Sequence, residues 1–155
     1  MNPQDFQCPE CGAPLASRGY KHRQRVGKYV VTDESACIPM CPNGHEPDLT
    51  FKERLGYERR AVKMLLQHGA GEDGGVMRFA RRTLGLKQTE LATLLEVAPE
   101  TVSRWETGAN PAPLMNQLAV ASLVDRAIAD DVDVLQPAPA VGGDGEITIP
   151  FRAAC

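Results

Sequence analysis

The most constraining feature of this sequence is a pattern between residues 76 and 108, VMRFARRTLGLKQTELATLLEVAPETVSRWETG. Its apolar positions are Phe79, Leu84, Leu86, Leu91, Ala92, Leu95, Val97, Val102 and Trp105. They fit the inner faces of three short helices on one core and do not fit strands. Gly85 is placed to end the first helix as a left-handed C-terminal residue, and Gly108 to end the third. Pro99 suits the first turn of the third helix, where its missing N–H removes no intrahelical bond. Only Glu96-Val97-Ala98 separates the second and third helices. Two helices joined by so short a turn hold the later one at a steep angle, with one face free to enter a DNA major groove.

The residues Leu86-Lys87-Gln88, Glu90-Leu91-Ala92, Val97, Thr101-Val102-Ser103-Arg104-Trp105-Glu106 and Gly108 resemble the lambda-repressor-like, Xre-type helix-turn-helix family. The resemblance implies a second helix near 88–95 and a recognition helix near 99–107. It also implies that Gln88 contacts the DNA backbone, that Pro99, Glu100 and Arg104 face the bases, and that Thr101 or Ser103 adds supporting contacts. The chemistry is sensible for each. Arg104 could pair bidentately with guanine O6 and N7, Glu100 could accept from a cytosine amino group, and Pro99 could pack on a thymine methyl. Glu100 equally suits a helix start by its charge alone. Trp105 is expected in the core, and the resemblance pairs Arg81 with Glu106 as a structural tie. Lys87 and Ala98 stand where the family carries capping hydroxyls, and a poor cap costs about 1 kcal/mol.

The second informative pattern is in the cysteines. Cys8-Pro9-Glu10-Cys11-Gly12 has the form of a zinc knuckle, two thiolates that can reach one ion across a tight turn. Cys41-Pro42-Asn43-Gly44-His45 repeats the Cys-Pro start and ends in an imidazole. Two such half-sites predict a closed, four-coordinate, structural zinc site of Cys8, Cys11, Cys41 and His45. Cys37 is the alternative to His45, and would make four thiolates. A module this small with so few apolar residues needs such a staple. Cys155 reads as a bystander thiol on a flexible tail.

Around these patterns the chain divides into 1–50, a zinc-binding module; 51–75, a bridging helix and glycine-rich hinge; 76–135, the helix-turn-helix DNA-binding domain; and 136–155, a flexible tail. Tyr29-Val30-Val31-Thr32 is the clearest strand of the first module. In the bridge, Arg59, Arg60 and Lys63 read as a solvated polar side. The hinge is read at His68–Gly75, where glycines interrupt any helix. Residues 113–130 predict a further helix with a stripe of Leu114, Leu118, Ala121 and Val124, widened by Leu123, Ala127 and Ile128, able to close the core and to pair with a second copy. In the tail, Glu146-Ile147-Thr148-Ile149 could add to a sheet edge, but a plain tail is the expectation.

Net charge is −3, so bulk charge does not announce a nucleic-acid binder. Local charge is more telling, since Arg18, Lys21, Arg23, Arg25 and Lys28, with His22, make one basic loop suited to a phosphate backbone or an acidic partner. No apolar run approaches the roughly 20 residues needed to cross a bilayer. The opening MNPQDFQCPECG carries neither a basic nor an apolar leader region, so a cytoplasmic protein is expected. No paired acid/base set or phosphate loop points to an enzyme.

The expected fold class is therefore α+β, a small zinc-ribbon-like β module followed by an all-α lambda-repressor-like helix-turn-helix domain. This order of knuckles, bridging helix and Xre-type domain resembles the MqsA-type antitoxin family, also described as the YgiT-type zinc-finger group. That resemblance implies a structural zinc ion and a module that neutralises a toxin, typically an endoribonuclease. It further implies a homodimer whose C-terminal domain binds a double-stranded DNA operator and represses its own operon. The second knuckle, Cys-x3-His, and the acidic C-terminal tail depart from the family pattern.

Overall fold

The computed structural model describes residues 6–130, 140–141 and 145–149. A small β module precedes a helical region, as the sequence predicts. In chain order the strands and helices are β1 (Ala16–Gly19), β2 (His22–Val26), β3 (Tyr29–Asp33), β4 (Cys37–Met40), α1 (Phe51–Gln67), α2 (Gly74–Thr83), α3 (Gln88–Leu94), α4 (Pro99–Thr107), α5 (Leu114–Ala129), β5 (Ala140–Val141) and β6 (Glu146–Ile149). Among the described residues no helix is long and apolar enough to cross a membrane.

The strands make two sheets with different supports. β1 and β4 form an antiparallel ribbon, Ala16 opposite Met40 and Gly19 opposite Cys37. The other sheet has the order β2-β3-β6-β5, with β6 parallel to β3 and Ile147 opposite Val31. Glu146–Ile149 is thus a strand whose Ile147 is buried, where a plain tail is the sequence expectation. Its alternation places Ile147 on the face that closes the core, and covering that apolar face outweighs the cost of ordering the segment. Residues 131–139, 142–144 and 150–155 lie outside the described residues, and with them the rest of the expected tail, Cys155 and the end of the 76–135 segment.

One apolar cluster joins the second sheet to the helices. It contains Val26 and Val31 from the strands, Val62, Leu65 and Leu66 from α1, Val76 and Met77 from α2, Leu91, Val102 and Trp105 from α3 and α4, Val120 and Val124 from α5, and Ile147. Trp105 is buried, as expected. Ile38 of the β1–β4 ribbon is buried outside this cluster.

α1 begins with a reciprocal cap. The Thr50 hydroxyl oxygen accepts from the Glu53 N–H, and the Glu53 carboxylate accepts from the Thr50 N–H at 2.7 Å. Two orphan donors are satisfied, and Gly56 is carried through without a break. The polar side of α1 is not simply solvated, which corrects the sequence reading. Arg60 Nε donates to Asp33 Oδ2 at 2.7 Å, Arg59 donates to the carbonyls of Thr83 and Ala127, and Lys63 pairs with Asp125. These side chains clamp β3, α2 and α5 onto α1, contacts that a one-dimensional pattern cannot show.

The glycine-rich stretch read as a hinge is a packed corner. Ala70–Glu72 is a turn of 3-10 helix, and Asp73 caps α2 by accepting from the Gly75 N–H. A Cβ at Gly74 would lie 2.4 Å from the Trp105 carbonyl oxygen, and one at Gly71 would lie 2.7 Å from the Gln117 side chain. The glycines admit close neighbours. Gln117, buried on α5, holds the corner by accepting from the Gly71 N–H and donating to the Ala112 carbonyl, each at 2.8 Å.

The turn between α3 and α4 is set by Glu96, which is left-handed at φ 55°. The Glu96 N–H donates to the Thr93 carbonyl and the Val97 N–H to the Ala92 carbonyl, the paired bonds of a Schellman end. Glycine is the residue that accepts this conformation without Cβ strain. Glu96→Gly is therefore expected to stabilise the fold by about 1 kcal/mol, read as a higher thermal midpoint with unchanged helix content.

Candidate nucleic-acid interface and metal centre

The family resemblance implies that Pro99, Glu100 and Arg104 of α4 face the bases, and the structure leaves all three exposed. Thr101 and Ser103 are half-buried on its flanks, and the opposite face buries Val102, Trp105 and Glu106. No side chain caps α4 at Ala98, and Pro99 occupies its first turn. At α3, Lys87 supplies no cap acceptor, but the Glu90 carboxylate takes the Lys87 N–H at 2.6 Å.

What holds α4 in place is Glu106. Its carboxylate accepts from Arg81 Nε at 2.6 Å and Arg81 Nη2 at 2.9 Å, a bidentate pair. Gln88 Nε2 donates to the same carboxylate at 2.9 Å, and Arg78 stands 3.8 Å away. Arg81 also donates to the Leu86 carbonyl at 2.9 Å. The last turn of α4 is thereby tied to α2 and to the first residue of α3. Gln88 is thus half-buried with its amide nitrogen engaged by Glu106, which positions the side chain at the front of α3.

Burial pushes the Glu106 carboxyl up, but the Arg81 and Gln88 hydrogen bonds and the two guanidinium charges outweigh it, so its pKa falls below the usual 4.5. A carboxylate whose folded pKa is depressed contributes its full stabilisation above the unfolded value and loses it as pH falls through the folded value. The wild type is therefore expected to lose stability below about pH 4.5 more steeply than Glu106→Gln, measured as urea midpoint against pH.

The metal-centre residues converge as the knuckles predict. One ligand atom from each of Cys8, Cys11, Cys41 and His45 lies within 4.8 Å of the others. Cys8 Sγ is 3.4 Å and Cys41 Sγ 3.5 Å from His45 Nδ1, and Cys11 Sγ is 3.5 Å from Cys41 Sγ. The arrangement is compatible with a metal site. Cys37 lies outside this cluster, in β4 opposite Gly19, so the geometry gathers the His45 set and not the Cys37 alternative.

Turn geometry brings N–H groups to the sulfurs. Gly12 is left-handed at φ 70° and its N–H donates to the Cys8 carbonyl, while Gly44 at φ 81° closes the second turn onto the Cys41 carbonyl. The Asn43 N–H approaches Cys41 Sγ, and Asn43 Nδ2 approaches Cys11 Sγ, each at 3.4 Å. The Ala13 N–H and the Asn43 amide lower the Cys11 thiol to about 6, so it is a thiolate at neutral pH, the form that binds metal. Glu10 Oε2 stands 3.6 Å from His45 Nε2, leaving Nδ1 to face the sulfurs. Carboxylates behind a ligating imidazole orient it in this way. Neither Glu10 nor Asn43 was singled out from the sequence. Both lie between ligands, where a plain turn residue and one that donates to sulfur or backs an imidazole look the same in one dimension.

Residues 77–115 match the family described as Helix-turn-helix. No curated protein and no solved structure matches the chain. The match covers most of α2, all of α3 and α4 and the start of α5, the segment whose geometry is described above. The class that fold and site define is a helix-turn-helix DNA-binding domain of the kind found in transcription regulators, which binds double-stranded DNA. Beside it stands a cysteine–histidine cluster compatible with a metal ion.

Proposed function

We propose that this chain is a sequence-specific transcription regulator whose N-terminal module, residues 1–50, carries a structural zinc and whose DNA-reading module spans 76–135. We further propose that it is the antitoxin and autorepressor of a toxin–antitoxin pair. The observation that carries the DNA-binding part is the exposed face Pro99-Glu100-Arg104 on a helix anchored by buried Glu106. Arg104 reads a guanine and Gln88 meets the backbone, with Thr101 and Ser103 flanking. Homodimerisation is supported by α5. Leu114 and Leu118, expected in its core stripe, are exposed together with Met115, while Val120, Val124 and Ile128 fill the core. Such a face suits a second copy reading a second half-site.

Zinc fits the donor set. Three thiolates and one imidazole at bond lengths of about 2.3 and 2.0 Å define a tetrahedron with edges of roughly 3.5–3.8 Å. The closest ligand-atom pairs, at 3.4 and 3.5 Å, are near those edges. Four protein ligands leave no position for a reacting water, so zinc here would supply folding energy and no catalysis.

The antitoxin reading rests on the layout of zinc module, bridging helix and helix-turn-helix. A stand-alone regulator is the second reading. It is favoured by the core that β2 and β3 share with the helices, which leaves less of the first module free to act as a separate toxin-binding body. Co-purification of the tagged chain at moderate salt after nuclease treatment separates the two. A stoichiometric protein partner whose retention requires residues 1–50 supports the antitoxin reading, and recovery of the homodimer alone supports the second.

Two outcomes test the site itself. Arg104→Ala is expected to cost about 1–3 kcal/mol on a selected site and to relax one base position, read by binding to a randomised duplex pool. Chelation is expected to release one zinc per chain and to unfold the knuckles with the β1–β4 ribbon, while β2, β3 and the helices stay folded on their common core. Amide hydrogen exchange resolved by residue checks this.

A further inference from the structure

We propose that the outward face of β2, with Arg18 and Lys28 at its flanks, is a second DNA contact that grips the phosphate backbone beside the site read by α4. The inference rests on the DNA-binding reading above and adds a surface outside the helix-turn-helix.

Between Cys11 and Thr32 the sequence contains no acidic residue, although the whole chain carries −3. The same run contains Arg18, Lys21, Arg23, Arg25 and Lys28, all exposed. Lys21, Arg23 and Arg25 alternate with His22, Gln24 and Val26, which turn toward the body of the protein. A strand repeats each face every two residues, about 6.6 Å. The result is a regular row of long cations, Lys21 just before β2 and Arg23 and Arg25 within it, on the outermost strand of its sheet.

The row is only lightly neutralised. Lys21 pairs with Glu34 at 3.1 Å and Arg23 with Glu146 at 3.3 Å, the cations and Glu146 being well exposed. Exposed pairs of this kind are worth roughly 0–1 kcal/mol, so phosphates can replace the carboxylates at little cost. Arg23, Arg25 and Val30 line a shallow recess of about 260 Å³.

The row is fixed to the DNA-reading unit. The Lys28 N–H donates to Asp73 Oδ2 at 2.9 Å, and Asp73 caps α2. A Cβ at Gly75 would lie 2.9 Å from Gly27 Cα, so the β2–β3 turn sits directly on the start of α2. Strand and helix-turn-helix therefore approach DNA as one body. A protein partner would require an anchoring apolar or aromatic residue. Phe6, Phe51, Leu94, Leu114, Met115 and Leu118 are the large apolar side chains exposed among the described residues, and none lies between 16 and 33. Phosphates require only the cations.

The test is fluorescence anisotropy of a mixed-sequence duplex of about 40 base pairs, titrated across salt. For Arg23→Gln/Arg25→Gln/Lys28→Gln, the slope of log K against log salt is expected to fall by about 2–3, with at least roughly tenfold weaker binding at about 0.1 M salt. Arg54→Gln, at an exposed position near the start of α1, is expected to leave the slope unchanged. Arg23→Lys/Arg25→Lys is expected to retain it, which excludes loss of fold as the cause, and Glu146→Gln is expected to tighten binding. A triple variant with the wild-type slope overturns the proposal alone and leaves the DNA-binding reading standing. A wild type that binds no duplex at any salt overturns both this inference and the DNA-binding reading.

Discussion

A carboxylate buried at the end of α4 organises the DNA-reading half of the molecule. An isolated ionised Glu106 in that position would be costly to desolvate, and it is tolerated because a planar guanidinium and an amide meet it from two other helices. The ends of α2, α3 and α4 are thus held at one point, and α4 can turn its polar face outward without depending on its own weak cap. The close approach of Gly74 to the Trp105 and Glu106 carbonyls belongs to the same junction, because a side chain there would push α2 off α4.

The N-terminal half solves a different problem. Its two sheets are held by different means. β2 and β3 place Val26 and Val31 in the common core and receive the Arg60–Asp33 pair from α1, so ordinary burial supports them. The β1–β4 ribbon has little apolar area of its own, and the cysteine–histidine cluster lies at its open ends. A small sheet without a core needs cross-linking, and the four converging ligands are where the chain can supply it.

Charge is partitioned as well as packed. From residue 113 on, acidic residues outnumber basic ones six to two, while an acid-free run between Cys11 and Thr32 gathers five cations on and around one edge strand. Whole-chain charge hides this, because opposite signs cancel in the sum and separate on the surface. Much of this is legible in the sequence. The knuckle spacing brings out Cys8, Cys11 and Cys41 with His45 or Cys37 as the fourth, and the helix-turn-helix pattern brings out α2 to α4, because both signals are local and sterically restrictive. The Arg81–Glu106 tie was legible through family resemblance. Gln117, Glu10 and the Arg60–Asp33 pair were not, since each partner is remote in sequence or sits in a turn that has its own reason to be polar.

The sequence by itself determined the three short helices, the exposed face of α4 and the two half-sites, since helix periodicity, left-handed glycines and Cys-Pro turns act over a few residues. Only the tertiary structure decided that His45 and not Cys37 joins the cluster. It also decided that the glycine-rich stretch is a packed corner, and that Glu146–Ile149 completes a sheet begun more than a hundred residues earlier. Those outcomes depend on which surfaces meet, and meeting surfaces are set by burial and close approach between distant segments, which no local pattern encodes.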